Sequence, residues 1–382
     1  MHRNCSNEDS DPSFMTLQTE PITINFGPQH PSTHGVFRMR VVFDGELIVD
    51  VEPVFGYLHR GSEKLAEERT YTQVVTLTDR MDYVASMTNN QAYILAVEKL
   101  SGIRPESRGV WLRMAAAELQ RVASHLVATG FLLQDLGALG TPLMYCMRER
   151  EKILDLFEML CGARITNSYL RPGGVFQDAP EYFWPALNQF MAEIPHRIDE
   201  LEQYLSTSEI ALQRTKGVAV LSPAAMVNAS ITGPMLRAGG VDWDLRHRAP
   251  YDFYDRVSFK RVLHGASDNF ARYWVRIEEM RESLKIVEQC VKAIEPGPVR
   301  PKSVPYLVRP PIGDAYAAIE CPKGELGFYL VSDGGISPFR CHVRAPSLIN
   351  LTLLREMLVG TYVADMFVSF GSTDINMGEV DR

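Results

Sequence analysis

The loop of residues 27–35 reads GPQHPSTHG and carries two histidines between prolines and glycines. Imidazole is the commonest metal ligand among side chains, and it exchanges protons near neutral pH. His30, His34 and His59 are therefore candidate metal ligands. The competing interpretation is that loop histidines stabilise turns through backbone hydrogen bonds, and spacing alone favours this over a metal site.

Tyr83 and Asp135 are two further candidate functional residues, on weaker grounds. Tyr83 lies within TDRMDYVAS, which we predict to be helical, and a tyrosine on a helix usually packs in the core with its hydroxyl bonded. Asp135 follows FLLQ and precedes LGALG, at the end of a strongly apolar helix. A carboxylate in such surroundings is costly unless it is paired. Taken alone, Asp135 is better explained as a helix-end residue that faces water.

The elements that must position these side chains begin with a predicted antiparallel sheet in residues 19–58. The segments ITINF, VFRMRVVF and ELIVDVEPVF alternate polar and apolar residues, as strands with one buried face do. Asp44-Gly45, between the last two segments, predicts a hairpin turn. The histidine loop then joins the first two strands.

A helical bundle is predicted for residues 59–295, because five long segments have apolar residues at helical spacing. The predicted helices are Ser62 to Leu100, a stretch that starts at Pro105, Pro142 to Leu160, Pro180 to Leu205, and Ser267 to Ile294. Gly102 and Gly162 are expected to end the first and third of these helices, since glycine readily adopts the left-handed conformation of a helix C-cap.

A proline-rich connector, residues 296–311, separates the bundle from a smaller region of residues 312–382. Proline lacks the backbone N–H that a helix interior requires, so the connector is not helical. YAAIEC, ELGFYLVSD and FRCHVRA predict three short strands, followed by a helix from Ser347 to Leu358 and a last strand near Met366 to Phe370. The predicted fold class is α+β: a long-helix bundle with an amino-terminal antiparallel sheet and a smaller carboxy-terminal α/β region.

Bulk composition excludes several classes of function. The 382 residues carry a formal net charge of −8 with no basic block, which argues against a nucleic-acid partner. No apolar run approaches the roughly 20 residues needed to cross a bilayer. Residues 1–18 are polar and acidic at the start, and we predict a disordered cytosolic tail without an export signal.

Cysteine spacing and short motifs point away from several cofactors. The six cysteines form no C-x-x-C pair, so we expect reduced thiols and no zinc or iron–sulfur ligands in this chain. The sequence also contains no GxGxxG, no Walker-type loop and no GxSxG elbow, so nucleotide binding and serine hydrolase chemistry have no support.

Several segments occur together in an order that identifies a family. They are GPQHPSTHG, GYLHRGSEKLAEERTYTQ, RMDYVASMTNNQAYILAVEKL, RERE, LRPGGV, EPGPVR, GELGFYLVSDGG and GEVDR. From about Thr19 to Arg382 the chain resembles the D subunits of respiratory NADH:quinone oxidoreductase, complex I. That family is in turn similar to the large subunit of nickel–iron hydrogenases, so the resemblance implies a hydrogenase-like fold.

The resemblance implies a role inside a larger, proton-translocating electron-transport complex. A subunit of this kind forms the cavity in which quinone is reduced, next to a terminal 4Fe-4S cluster held by the B subunit, and it is active only in the complex. The chain itself would bind no cofactor, and quinone would be the substrate. The other implied partners are the C subunit and the membrane-arm H and A subunits. The implied location is peripheral, on the cytoplasmic side of the bacterial inner membrane.

The alternative of a nickel–iron hydrogenase fails on the ligands. A hydrogenase holds its metal with two cysteine pairs, the second within a carboxy-terminal D-P-C-x-x-C-x-x-H. When DINMGEVDR is aligned with that motif, Asn376 and Glu379 stand at the cysteine positions and Arg382 at the histidine position. The amino-terminal pair is also missing around GYLHRGSEK. Nickel in that arrangement needs soft thiolate ligands, so this chain is not expected to bind it.

Carried over by position, the family's quinone ligands fall on His34 and Tyr83, and the acidic partner of the histidine falls on Asp135. Arg60 matches an arginine that faces the neighbouring cluster, although a surface role at a helix start would also explain it. A scaffold subunit with a decayed quinone site is a further alternative, and the retention of all three quinone-site residues argues against it.

The segment GARITNSY departs from the family pattern, because Thr166 replaces a histidine that is linked to the cluster. Threonine does not titrate near neutral pH, so we expect a cluster of low potential with little pH dependence. The sequence leaves open whether ubiquinone or menaquinone is the substrate, and whether NADH, ferredoxin or another module supplies the electrons.

Overall fold

A computed structural model describes residues 20–29, 35–137 and 141–382. The predicted tail of residues 1–18 and the histidines His30 and His34 lie outside the described residues. The described chain has a helical bundle at its centre, with a three-stranded antiparallel sheet near each end. The predicted α+β fold class is therefore confirmed.

The amino-terminal sheet has the order β1-β2-β3, and both pairings are antiparallel. Its strands are β1 Ile22–Phe26, β2 Arg38–Asp44 and β3 Leu47–Val54. Alternate residues of β2, namely Met39, Val41 and Phe43, point into the core. The predicted hairpin is present, and Gly45 in its turn has a φ of 62°, a conformation that favours glycine.

Fifteen α-helices are present among the described residues, and they are numbered here in chain order. They are α1 Ser62–Glu68, α2 Tyr71–Thr78, α3 Ser86–Ser101, α4 Ser107–Asp135, α5 Thr141–Cys161, α6 Phe183–Ser206, α7 Glu209–Gln213, α8 Pro223–Asn228, α9 Gly233–Ala238, α10 Leu245–Arg248, α11 Asn269–Ala293, α12 Pro346–Asn350, α13 Leu354–Leu358, α14 Val363–Gly371 and α15 Met377–Asp381. None of the helices described is long and apolar enough to cross a membrane.

The 29-residue helix α4 is the axis of the bundle and is buried along most of its length. It packs against α11, α5 and α3. Small residues allow these close approaches: Gly130 of α4 lies so near α5 that an added Cβ would come within 3.0 Å of Cys146 Cβ. The long helices predicted in the bundle are present at α3 to α6 and at α11.

The carboxy-terminal sheet has the order β6-β7-β8 and packs on α3. A two-stranded ribbon precedes it in the chain. The strands are β4 Leu170–Arg171, β5 Gly174–Val175, β6 Gly313–Cys321, β7 Gly324–Ser332 and β8 Arg340–Arg344. The ring of Tyr93 in α3 meets Phe328 in β7 edge-on at 5.6 Å, so the bundle and this sheet share one core.

The prediction of one continuous helix from Ser62 to Leu100 is wrong, because the segment forms α1, α2 and α3. Thr70 and Gln73 form a capping box that starts α2: the Thr70 hydroxyl accepts from the Gln73 N–H, and the Gln73 side chain accepts from the Thr70 N–H. Residues 79–85 then form a turn before α3. Gly102 ends α3 in the left-handed conformation, as predicted.

The strand predicted near Met366 to Phe370 is also wrong, since these residues belong to α14. A short apolar run does not distinguish a strand from a buried helix by its pattern. Met366 and Phe370, four residues apart, are both fully buried on one helical face. The Phe370 ring stacks on Phe37 at 5.2 Å, which ties α14 to the amino-terminal sheet in a second core.

Candidate functional site

A cavity of about 440 Å³ opens where the turn after α2, the carboxy-terminal part of α4, α5 and residues 371–376 meet. Its lining includes apolar side chains, among them Val127, Phe131 and Met147. It also includes the polar side chains of Tyr83, Lys323 and Asn376. The site therefore suits a ligand with a flat apolar body and a few polar atoms at one end.

Tyr83 lines this cavity from the turn between α2 and α3, and its side chain is 46% exposed. The prediction that Tyr83 lies on a helix is thus wrong. Its side chain is exposed at the cavity, where a ligand can contact it. Two hydrogen bonds fix the turn: Val84 N–H donates to Asp82 Oδ1 at 3.0 Å, and Gln120 Nε2 donates to the Val84 carbonyl at 2.7 Å. Tyr83 is presented by a rigid turn.

The pKa of the Tyr83 phenol is raised above its ordinary value. Partial burial is the main cause, and the negative charge of Asp82 adds to it. The positive charges of Lys323 and Arg60 oppose the rise. Tyr83 is therefore neutral at physiological pH and can donate a proton or a hydrogen bond to an oxygen in the cavity.

The histidine loop reaches the same cavity. Gly35, which directly follows the undescribed residues 30–34, lines the cavity wall. His34 itself lies outside the described residues, so its contacts remain a prediction. Because Gly35 lines the cavity, the loop of residues 27–35 ends at the site.

Asp135 is the last residue of α4 and is partly buried, in agreement with its predicted place at a helix end. Phe131, four residues earlier on the same helical face, lines the cavity. Asp135 is thus close to the rim where α4 ends. Its pairing with His34 stays a prediction.

Arg60 connects two parts of the site. Its Nη2 donates to the carbonyl of Arg80 at 2.8 Å and to that of Gly378 at 3.2 Å. These bonds hold the turn before Tyr83 against α15. The exposed remainder of the guanidinium is available to a partner, and the predicted role beside a cluster is untested.

His59 and Thr166 have local structural roles. The Nδ1 of His59 lies 2.7 Å from the carbonyl oxygen of Asp381, which matches the interpretation of a turn-stabilising histidine. Thr166 adopts a φ of 55° and donates its hydroxyl to the Ile165 carbonyl at 2.6 Å. Ile165 lines the cavity, so this segment lies on the same side of the molecule as the site.

Sequence reasoning missed a buried polar cluster beside the cavity. Lys323 Nζ lies 2.9 Å from Asp82 Oδ2 and 3.8 Å from Asp374 Oδ1. Asn376 Nδ2 donates to Asp82 Oδ1 at 2.9 Å, and Ser347 Oγ donates to Glu379 Oε2. A lysine in the tight CPKG turn between two apolar strands was the available signal, since a buried lysine requires carboxylate partners.

The charged groups in this cluster shift one another's pKa values. Burial disfavours the Lys323 ammonium, but the carboxyls of Asp374, Asp82 and Glu379 outweigh it and raise its pKa above the ordinary value. Burial and the Asp82 charge raise the pKa of Glu379 to about 8. Lys323 therefore presents a fixed positive charge to the cavity.

Metal binding has no geometric support among the described residues, where no group of three or more His, Cys, Asp or Glu side chains is arranged to hold an ion. Asn376 and Glu379 hold hydrogen-bonding positions within the polar cluster. Burial raises the pKa of the nearby Cys321 thiol well above its ordinary value, so the thiolate that a soft metal needs is disfavoured.

The helical bundle with an antiparallel sheet near each end agrees with the expected fold of a hydrogenase-like large subunit, and segment 374–382 contains no cysteine that could supply nickel-binding thiolates. Comparison with known families agrees. The family model described as respiratory-chain NADH dehydrogenase, 49 kDa subunit, matches residues 135–309 and 302–382. The chain belongs to this family.

Relatives named as the D subunit of NADH-quinone oxidoreductase match almost the whole chain. The one from Dehalococcoides mccartyi is 55% identical over 368 residues, which cover 96% of this chain and 100% of the relative. The one from Roseiflexus sp. is 52% identical over 373 residues, with 96% and 100% covered. A relative from Clostridium beijerinckii is 48% identical over 366 residues, with 96% and 98% covered.

Proposed function

We propose that this chain forms the quinone-reduction cavity of a proton-translocating NADH:quinone oxidoreductase and acts only within that complex. The observation that carries the proposal is the lining of the 440 Å³ cavity, which combines Tyr83, Gly35 at the end of the histidine loop and Lys323 with apolar side chains. This volume is within the usual range of about 300 to 1,000 Å³ for small-molecule sites.

The chemistry of quinone reduction fits these side chains. Two electrons and two protons convert the quinone to the quinol, so both carbonyl oxygens need donors as negative charge develops. Tyr83 and His34 are the donors, and Asp135 fixes the tautomer of His34 and favours its protonated form. Lys323 adds a positive charge beside the developing oxyanion.

The electrons come from outside this chain. The donor is a terminal 4Fe-4S cluster in the B subunit, next to Arg60, and the remaining partners are the C subunit and the membrane-arm H and A subunits. The family membership and the names of the relatives support this assembly. Within it, the chain is a peripheral subunit on the cytoplasmic side of the bacterial inner membrane.

Replacement of Tyr83 by phenylalanine in the assembled complex tests the proposal. The change removes one hydroxyl and little volume, so we expect quinone reduction to weaken by about 1 to 3 kcal/mol in transition-state stabilisation. Electron transfer from the donor to a water-soluble acceptor such as ferricyanide should continue at the wild-type rate. Steady-state kinetics with both acceptors measure the two effects.

Tyr306→Phe is the matched control, because this tyrosine is 80% exposed in the connector and does not line the cavity. It should leave both activities unchanged. Wild-type quinone kinetics in the Tyr83→Phe complex would remove Tyr83 from the site, and an assembled wild-type complex without any quinone activity would favour the scaffold alternative.

A further inference from the structure

An arginine of α5, Arg150, lines the cavity without a partner for its charge. Its guanidinium forms no ion pair with the described residues, and its buried Nε has no hydrogen-bond partner among them. Three other arginines also have a buried nitrogen without a hydrogen bond, but each of these forms an ion pair with a carboxylate: Arg121, Arg237 and Arg276. Arg150 is therefore free to pair with a negatively charged ligand.

The acidic residues next to Arg150 are bonded elsewhere. The carboxylates of Glu151 and Asp155 both accept from the guanidinium of Arg164. Burial lowers the pKa of Arg150, the charge of Glu151 opposes this, and the charge of Arg164 adds to it. A guanidinium stays charged at physiological pH even so. Arg150 thus gives the cavity a permanent positive charge.

Arg150 lies toward the end of the cavity where Tyr83 is held. Helices α4 and α5 pack together and are joined by a short connection, so they run antiparallel. Gly130 of α4 faces Cys146 of α5. Arg150 follows Cys146 by four residues, about 6 Å along the axis, in the direction that leads away from the carboxy-terminal end of α4. Gln120, which bonds to the turn that carries Tyr83, lies in the same direction from Gly130.

The surroundings of Arg150 strengthen its interaction with a charged ligand. Met147, one turn earlier in α5, lines the cavity together with Phe131, and apolar neighbours of this kind lower the local dielectric constant. The other cation of the lining, Lys323, is already paired with Asp82 at 2.9 Å. The charge of Arg150 is the one that the described chain leaves without a counter-ion in this cavity.

We propose that Arg150 binds the quinone oxygen that becomes negatively charged during reduction, beside Tyr83. This inference rests on the proposed function. One electron from the carrier of the partner subunit converts the neutral quinone to a semiquinone anion, and a second electron with two protons completes the quinol. Arg150 keeps its own protons, and its charge stabilises an anion that the neutral quinone lacks. Tyr83 remains the group that can donate a proton.

The test compares Arg150→Met and Arg150→Gln with wild type in the assembled complex. Both variants remove the charge, and we expect kcat for quinone reduction to fall about 10- to 100-fold, as for the loss of a hydrogen bond to a charged group. The KM for quinone should change by less than about threefold, because the neutral ground state gains little from the charge. Arg150→Lys keeps the charge and should retain most of the activity.

The matched control is Arg148→Met, two residues earlier in α5. Arg148 does not line the cavity, and 48% of its side chain is exposed. This variant should reduce quinone at the wild-type rate. Electron transfer to ferricyanide should also be unchanged in all of these variants, since it does not use the cavity.

A charged inhibitor tests the binding of an anion without any electron transfer. The probe is 2-hydroxy-1,4-naphthoquinone, which is ionised at neutral pH, and its uncharged counterpart is 2-methyl-1,4-naphthoquinone. In wild type the ionised compound should bind more tightly than the uncharged one. Its inhibition constant should rise about 10- to 100-fold in Arg150→Met, whereas the KM of the uncharged compound stays within about threefold.

Wild-type kcat and wild-type inhibition in either uncharged variant would overturn the inference. Equal losses in Arg150→Lys and Arg150→Met would also overturn it, because the loss would then follow shape and not charge. Should neither uncharged variant assemble, weaker binding of the ionised than of the uncharged naphthoquinone in wild type would have the same consequence.

Failure of the proposed function has a different signature. In that case the wild-type complex passes electrons to ferricyanide but reduces no quinone, and Tyr83→Phe has no effect. If Tyr83→Phe is impaired and the uncharged variants of Arg150 are not, only the inference about Arg150 is wrong.

Discussion

Asp79 is fully buried in the turn between α2 and α3. Burial raises its pKa from 3.8 to about 6, although Asn90, Arg80 and Arg171 act in the opposite direction. This turn carries Tyr83. A buried carboxyl group whose ionisation is disfavoured therefore lies in the same turn as Tyr83.

Asp79→Asn should stabilise the fold, and the gain should depend on pH. Because the folded state binds the proton more tightly than the unfolded state, the wild-type protein loses stability as pH rises from 3.8 to about 6. Above this window the loss is about 3 kcal/mol, and asparagine removes it. Urea unfolding between pH 5 and pH 7.5 measures the effect. The exposed Asp255→Asn is the control, and an equal gain at every pH would contradict the explanation.

The sequence singled out Tyr83, Arg60 and Asp135 because they belong to recognisable motifs; Tyr83 lines the cavity, and the predicted roles of all three residues stay predictions. It was not sufficient to select Lys323, Asp82 and Glu379 as a unit. Asn376 contacts Asp82 across 294 positions of the chain, and such a contact leaves no local pattern. Residues that a single segment carries were predictable, whereas a cluster built by distant segments required the fold.

At the scale of elements, the hairpin at Asp44-Gly45 and the long helices were predictable because turn residues and helical periodicity are local signals. The division of the segment from Ser62 to Leu100 was missed. Its signal, the T-x-x-Q capping box at Thr70, is a weak one within an apolar helical pattern. The buried helix α14 was missed because an apolar run of this length is too short for its pattern to separate a helix from a strand.

The connector after α11 is attached to the bundle by a close contact. The Val299 carbonyl accepts from Val175 N–H at 3.3 Å and rests on Gly109 at the start of α4. A Cβ on Gly109 would lie 2.2 Å from this carbonyl oxygen and 3.0 Å from Gly174 Cα. Both of these neighbouring atoms belong to the backbone, so neither can shift easily to make room for the added Cβ.

Gly109→Ala should therefore destabilise the protein by about 1 to 3 kcal/mol, even though alanine favours a helix by about 1 kcal/mol over glycine. Gly297→Ala in the same connector is the matched control, since its Cβ would meet no atom within 4 Å. Chemical denaturation of the two variants measures the difference. Equal free energies of unfolding for the two variants would show that the connector shifts to accommodate the Cβ at position 109 without a loss of stability.

At the scale of the whole molecule, the two cores are joined through the segment that ends at Arg382. The Asp381 carboxylate accepts from Gly56 N–H at 2.9 Å and from Leu58 N–H at 2.8 Å. Ser62 N–H also donates to the Arg382 carbonyl at 3.2 Å. Residues 381 and 382 thus fix the connection between β3 and α1, which carries Arg60.

Asp381→Ala should cost about 2 to 4 kcal/mol, because it leaves two partly buried backbone donors without their charged acceptor. Asp381→Asn keeps one good acceptor and should cost about half as much. Hydrogen exchange at Gly56 and Leu58 should accelerate in the alanine variant, while exchange in α4 stays at the wild-type rate. Unchanged protection at both amides would show that other contacts hold the connection between β3 and α1 in place.

The long sequence separation of these contacts has a consequence for synthesis. The cavity wall joins residues near position 82 to residues 374–379, so a ribosome must make nearly the entire described chain before the wall can close. Until then Asp82 lacks its hydrogen bond from Asn376, and the cavity around Tyr83 lacks the lining that residues 374–376 supply. Premature termination before residue 374 would yield a chain without the Asn376 contact to Asp82 and without part of the cavity lining, so the cavity could not be completed.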